Sequence, residues 1–484
     1  MTNAVIITFC RRIVPAMMLA AALIRAEPLP AQTLDLSLPD LGDPSTSVLP
    51  AEEEARIGAA MMREIRQEVD LIQDPAINAY VRDLGTRIAA AIDSPDSQFR
   101  FFVVDDPRIN AFAMPGGYVG VHSGLITASR TESELGAVIA HELSHVTQRH
   151  IARRVAAAQG INLRTTAMVL AGLLISSQNP QAGMAAATSG MASGIDSQLA
   201  YSRDHEREAD RVGMRILARA RLDPMGMPDF FRVLMDDSRY RSKPPAFLST
   251  HPLTEARIAD ASSIAAQLRG EDIFESPGYA YARARTQVLT TDNTREALAD
   301  FRARYEADNR ADTRYALAMA LTRQNQTEPA REHYQSLIAE YGEQPLLHLG
   351  LAEAALAAEN PEAALAELQR GLGLFPGSVA LQFGKVEVYL RTDRPGQALA
   401  VTRELTYAAD GAPDIWALHA RAASAAGDSA ESAIAMAQYY AVQGDLEAGL
   451  SQLRRVDRLT ATPNQSARAN ALRERWESRL STTG

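Results

Sequence analysis

The chain has almost no cysteine, almost no lysine and no hydrophobic run long enough to span a bilayer. Its one cysteine, Cys10, lies near the start of 484 residues. It precedes the apolar stretch Ile13 to Ile24, whereas a lipid-modified cysteine should follow such a stretch. Removal of that segment would leave no thiol at all. Cysteine catalysis and disulfides are then excluded, and the chain can enter an oxidising compartment unchanged. Lys243 and Lys385 are the only lysines among 49 basic residues, and the net charge is −10. We read the arginine bias as composition, not function. An acidic chain without clustered Lys and Arg is unsuited to phosphate backbones, so nucleic acid is excluded as a partner.

Two apolar stretches stand out, 12 residues from Ile13 to Ile24 and nine from Ala167 to Ile175. A membrane-spanning helix needs about 20. The first follows Arg11 and Arg12 and has the length of a signal-peptide core, with small residues at Ala26 and Ala31 for cleavage. We expect a signal peptide over residues 1–31. An uncleaved anchor is the rival, because Val5 to Phe9 is also apolar. Five prolines between Pro28 and Pro50 then mark residues 32–50 as a linker.

Helical periodicity begins near Ala51. Residues 52–69 and 75–92 carry apolar positions at helical spacing, such as Ile57, Met61, Ile65 and Val69. Phe99 to Val104, Asn110 to Met114 and Tyr118 to Val121 read as short strands, with a turn at Pro115-Gly116-Gly117. Thr131 followed by Glu134 predicts a capped helix start. Residues 160–200 are rich in Gly, Ala, Ser and Met. They read as a buried hairpin or flexible loop, or else as an amphipathic flap that touches a membrane surface peripherally. From residue 276 the chain is helical and repetitive. Ala297-Leu298, Ala330-Arg331, Ala364-Leu365 and Ala398-Leu399 open similar helices at spacings of 33, 34 and 34, and Gly449-Leu450 follows after 51. That period of paired helices is the tetratricopeptide signature, kept in spacing more than in residues. A plain helical solenoid would equally predict a concave binding surface.

His141-Glu142-Leu143-Ser144-His145 fits His-Glu-x-x-His. On a helix, residues four apart share a face, so both imidazoles can reach one ion. Glu142 can take a proton from a metal-activated water and pass it to the leaving amine. Catalytic zinc takes three protein ligands and keeps one position open. A metzincin would need Gly at 148 and His at 151, where this chain has Gln148 and Ile151. His150 is one residue off that pattern and reads as a surface histidine facing elsewhere. Glu206 is the better third ligand, 61 residues after His145. Asp210 lies one turn later on the same face, placed to brace a ligand histidine. Glu208 should point away, exposed. The strand around Asn110, Ala113, Gly116 and Gly117 has two open readings. One is a free edge presented to a peptide substrate, the other an ordinary hairpin that packs the core.

These residues resemble the gluzincin family of CAAX-prenyl-protease-like peptidases. Asn110 to Gly117 and Ser249-Thr250-His251-Pro252 are similar to further landmarks of that family. The signal segment and repeat tail look like the BepA-type periplasmic proteases of Gram-negative bacteria. The resemblance is specific over about residues 50–265 and rests on architecture alone in the tail. It implies one zinc ion on His141, His145 and Glu206, Glu142 as the catalytic acid/base, and Asp210 as a supporting acid. His251 would be a fourth ligand that keeps the enzyme latent, or an oxyanion stabiliser. Arg257 would anchor its loop. The resemblance further implies periplasmic work on stalled outer-membrane β-barrel proteins, with the repeats docking to the assembly machinery. We therefore expect a mainly α fold. A zincin-like α+β peptidase domain with a small β-sheet (51–268) should precede a tetratricopeptide-like solenoid (276–484). The competing reading is a chaperone or adaptor in which the repeats act and cleavage is rare.

Overall fold

The computed structural model describes residues 49–92, 98–157, 202–240, 245–270, 272–408 and 412–482. The expected signal peptide, most of the expected linker and the 160–200 stretch lie outside them. Two helices open the described chain, α1 (Ala51–Glu68) and α2 (Pro75–Ala89). Asp74 caps α2, its side chain accepting from the backbone of Ala76 and Ile77, with Pro75 in the first turn, where its missing N–H costs nothing. Three strands follow, β1 (Arg100–Val104), β2 (Ala111–Met114) and β3 (Tyr118–His122), in the order β1-β3-β2. β3 pairs parallel with β1 and antiparallel with β2, so β2 forms an edge of the sheet.

Next come α3 (Ser123–Ala128), α4 (Glu132–Thr147) and α5 (His150–Ala157). After them come α6 (Arg203–Arg219), α7 (Gly226–Tyr240), α8 (Ala246–Thr250), α9 (Glu255–Leu268) and α10 (Gly278–Leu289). Helix α4 is the axis of this part. Thr131 caps it by accepting from the Glu134 N–H, as the sequence pattern predicts, while Glu134 reaches past the cap residue to accept from the Arg130 N–H. Every residue from Glu132 to His145 is buried. Leu135, Val138, Ile139 and Leu143 pack with Ile88 of α2, Met214 and Leu217 of α6, and Phe230 and Leu234 of α7. A helix buried on every side is enclosed by other elements, and this one carries the histidine motif into the interior.

Among the described residues eleven further helices follow: α11 (Thr294–Ala307), α12 (Ala311–Arg323), α13 (Thr327–Tyr341), α14 (Pro345–Ala357), α15 (Pro361–Leu374), α16 (Val379–Arg391), α17 (Pro395–Ala408), α18 (Pro413–Ala425), α19 (Ser429–Val442), α20 (Leu446–Val456) and α21 (Pro463–Thr482). The turns show the repeat more sharply than the side chains do. Asn325, Glu359, Asp393 and Gly427 all have positive φ and recur every 34 residues. Gly444, also at positive φ, comes only 17 residues after Gly427. Gly449-Leu450 therefore sits half a period out of phase. Ser432-Ala433 in α19 holds the position expected for the next copy, which corrects the reading of a 51-residue spacing.

The repeats are bonded to the first helices. Arg285 of α10 is buried between Asp74, at 2.7 Å, and Glu353 of α14, also at 2.7 Å. Arg63 of α1 donates to the Gly444 carbonyl at 3.3 Å, and Arg82 of α2 pairs with Asp414 at 3.5 Å. Among the described residues, no helix is long and apolar enough to cross a membrane.

A candidate metal centre

Four elements bring the chemistry together. Helix α4 carries His141, Glu142 and His145, and α6, capped by Ser202, carries Glu206 and Asp210 on its buried face. Gly213 permits the approach of the two helices. A Cβ there would stand 3.2 Å from the His141 nitrogen and 3.3 Å from the Ala140 carbonyl carbon. His251 follows α8, its N–H bonded to the Phe247 carbonyl and its ring stacked on Phe247 at 4.5 Å. Thr254 caps α9, which delivers Arg257.

One ligand atom from each of His141, His145, Glu206 and His251 lies within 4.8 Å of the others, and all four residues are buried. Nε2 of His141 and Nε2 of His145 are 3.0 Å apart. Nδ1 of His251 is 3.3 Å from the first and 3.1 Å from Oε1 of Glu206. The Glu206 oxygens lie 3.6 Å and 3.5 Å from the two Nε2 atoms. Tetrahedral ligands at zinc–nitrogen and zinc–oxygen bond lengths would be separated by about 3.3 Å, so the donor set fits such an ion.

The proton inventory makes the same point. Nδ1 of His141 sits 3.0 Å from Asp210 Oδ1, which calls for a proton on that nitrogen. Behind His145, its Nδ1 is 2.8 Å from Nδ1 of His150, whose Nε2 is 3.1 Å from a Glu208 oxygen. Burial pushes His150 down to about 4, outweighing the hydrogen bond to Glu208, so its ring is neutral. A neutral ring facing a carboxylate with Nε2 keeps its proton there and accepts at Nδ1. His145 must then donate from Nδ1. The lone pairs of both Nε2 atoms are then turned toward each other and toward the Glu206 carboxylate, an arrangement that a cation resolves.

Arg257 braces the carboxylates. It donates to Asp210 at 2.9 Å and 2.8 Å and to the Pro252 carbonyl at 2.7 Å, and lies 2.8 Å from Glu206 Oε2. Burial would raise the Asp210 carboxyl, but His141 and Arg257 hold it below its ordinary value. Burial likewise acts on Glu206, where His251, His141 and Arg257 win and lower it. Burial dominates at Glu142 and raises it against the pull of His251 and His141. Glu142 accepts from the Ala113 N–H at 3.0 Å and lies 3.4 Å from His251 Nε2.

Several expectations need correction. His150 is buried and abuts His145. The sequence reading takes it as a surface histidine facing elsewhere, one residue off the metzincin position. Arg149 takes φ 52, α4 ends, and α5 starts in a new direction with His150 pointing back. Glu208 is half-exposed and bonded to His150 and Arg153, and so is engaged instead of pointing freely away. At the strand, Asn110, Gly116 and Gly117 lie outside β2, and the Asn110 carbonyl already accepts from the His122 N–H. Main-chain groups alternate along an antiparallel pair, so Ala111 and Ala113 are the residues that turn theirs to the free edge.

Comparison with known proteins agrees with this geometry. Residues 66–265 match the model of Peptidase family M48, and residues 355–422 match a Tetratricopeptide repeat model. The chain is similar to the beta-barrel assembly-enhancing protease of Escherichia coli (strain K12), 33% identical over 447 residues, 92% of this chain and 91% of that one. It is 34% identical over 439 residues to the putative beta-barrel assembly-enhancing protease of Vibrio cholerae, covering 89% and 90% of the two chains. The mitochondrial metalloendopeptidase OMA1 of Schizosaccharomyces pombe is 31% identical over 179 residues, 37% of this chain and 50% of that one. One-third identity over about nine-tenths of both chains, together with the match over residues 66–265, makes the protein a metalloendopeptidase whose buried donor cluster fits a metal site, and the chain belongs to peptidase family M48.

Proposed function

We propose that this protein is a zinc endopeptidase of the cell envelope that degrades misfolded or unassembled outer-membrane proteins and also assists their assembly. The observation that carries it is the convergence of His141, His145 and Glu206 with Glu142 held beside them. His141, His145 and Glu206 are the proposed ligands of one zinc ion. That ion would supply Lewis-acid polarisation of the scissile carbonyl and lower the pKa of bound water to roughly 7.

The chain's own residues do the rest. Glu142, raised by burial and oriented by the Ala113 N–H, takes the proton of the attacking water and returns it to the leaving amine. Asp210 holds His141 by its far nitrogen, and Arg257 holds Asp210 and Glu206 in place. A substrate strand adds to the free edge of β2, where the main chain of Ala111 and the Ala113 carbonyl align it without regard to side chains, the Ala113 N–H being held by Glu142. Such recognition suits unfolded segments of many sequences.

The domain limits we propose are a signal peptide over 1–31, a linker over 32–50, the peptidase over 51–268 and the repeats over 276–484. A periplasmic location is supported by the expected signal segment and is compatible with relatives named beta-barrel assembly-enhancing proteases. The repeats would dock to the β-barrel assembly machinery, and residues 160–200 would make a peripheral membrane contact.

One observation favours a latent state. Nδ1 of His251 stands among the ligand atoms, and its Nε2 lies against Glu142. His251 in that place would act as a fourth ligand and hold the enzyme off. The repeats could then assist assembly without cleavage. Replacing Glu142 with Gln separates the two roles. Turnover of an unfolded substrate should drop by roughly 10²–10⁴ while assembly is retained. Unchanged turnover would remove the peptidase reading.

A further inference from the structure

The two motif histidines are supported in different ways. Behind His141 stands a carboxylate, Asp210, at 3.0 Å. Behind His145 stands a second imidazole, and the carboxylate comes one residue later. His150 Nδ1 is 2.8 Å from His145 Nδ1, and His150 Nε2 is 3.1 Å from Glu208. The His150 ring is fully buried and is fixed from its face as well as its edges, since the His205 ring stacks on it at 4.4 Å and 18°. Arg153, one turn along α5, lies 3.0 Å from the same Glu208 oxygen. Helices α4, α5 and α6 thus meet in one line of polar contacts that ends on a proposed metal ligand.

We propose that His150 and Glu208 are positioning residues that set the tautomer and aim of His145 toward the metal through a two-imidazole relay. Glu208 accepts from His150 Nε2, so the ring's lone pair falls on Nδ1, which faces His145 Nδ1 at 2.8 Å. His145 must then carry its proton on Nδ1 and turn the Nε2 lone pair to the ion. Ring orientation is fixed at the same time, because an imidazole held by Nδ1 at 2.8 Å has little freedom to rotate about Cβ–Cγ. A metal-bound histidine usually donates its other N–H to a carboxylate, a carbonyl or water, and loss of that partner costs ten- to a hundredfold in metal affinity. Here the same task falls to a histidine outside the motif. The kink at Arg149 is what turns it inward.

The inference rests on the metal reading above, and the test tells the two apart. Zinc affinity of the full chain is measured by competition with a chromophoric chelator. If the unaltered chain binds no zinc, the metal reading itself falls. If it binds, His150→Phe keeps the ring volume but cannot accept from His145, and should bind about 10–100-fold more weakly. His150→Asn, whose amide can accept and donate, should recover most of that affinity. Glu208→Ala, at a half-exposed position, should weaken binding in the same direction. Combined with His150→Phe it should add nothing, because the two act in series. Zinc binding by His150→Phe equal to the unaltered chain, or equal losses in His150→Phe and His150→Asn, would overturn the relay. Should His150→Phe fail to fold, Glu208→Ala decides, and unchanged affinity there counts against it.

Discussion

Replacing Arg257 with Ala tests how the centre is held together. The guanidinium makes a two-pronged bond to Asp210 and touches Glu206, residues only 4% and 1% exposed. Its removal strands two buried carboxylates beside one another. Breaking a buried ion pair by deleting one partner costs about 3–5 kcal/mol, because the surviving charge stays desolvated. For a cooperative unit of about 200 residues, that corresponds to a fall of about 6–20 °C in Tm. Differential scanning calorimetry on metal-free protein measures it. Added zinc should recover part of the loss, since Glu206 then regains a cation. Arg257→Lys should fall between, because a point charge cannot reach both carboxylates as the planar fork does. If Arg257→Ala melts with the unaltered protein, with or without zinc, the bracing role is wrong.

Three further outcomes follow from the geometry. Gly213→Ala, which on an exposed helix would stabilise by up to about 1 kcal/mol, should destabilise here and weaken zinc binding, because its methyl meets the backbone of Ala140 and His141; a raised Tm would contradict the close approach. Glu431 is buried in the repeats against His419 and Arg468, which overcome burial and hold its carboxyl down to about 2. A depressed carboxyl contributes stability in full above the unfolded value of about 4.3 and loses it as pH falls toward 2. The gap between the unaltered chain and Glu431→Gln in urea melts should therefore be wide at neutral pH and close between about pH 4.3 and 2; a constant gap would refute the pairing. His251→Ala should raise basal proteolysis of an unfolded protein, whereas flat or lower activity would point to transition-state stabilisation instead.

Local signals were readable from the chain. Thr131 and Glu134 mark the start of α4, and the three strands lie within a residue or so of their expected limits, because caps and alternation act over a few residues. Glu206 stood out only because Asp210 repeats it one turn later, beside a motif already recognised. What could not be read depends on contacts distant in sequence. The order β1-β3-β2 places β3 between two strands that precede it. Arg285 joins Asp74 to Glu353 across more than two hundred residues. His150 was misread because nothing in Gln148-Arg149-His150 announces a non-glycine residue at φ 52. The repeat was legible as a period, but its phase at Gly449 was not, since the half-period shift shows only in the backbone of Gly444.

The most direct test of the central claim is anomalous diffraction at the zinc edge from crystals of the full chain. One peak should appear within about 2.0–2.2 Å of Nε2 of His141, Nε2 of His145 and a Glu206 oxygen. A zinc-loaded crystal with no peak there, or with Glu206 turned away from the ion, would contradict it.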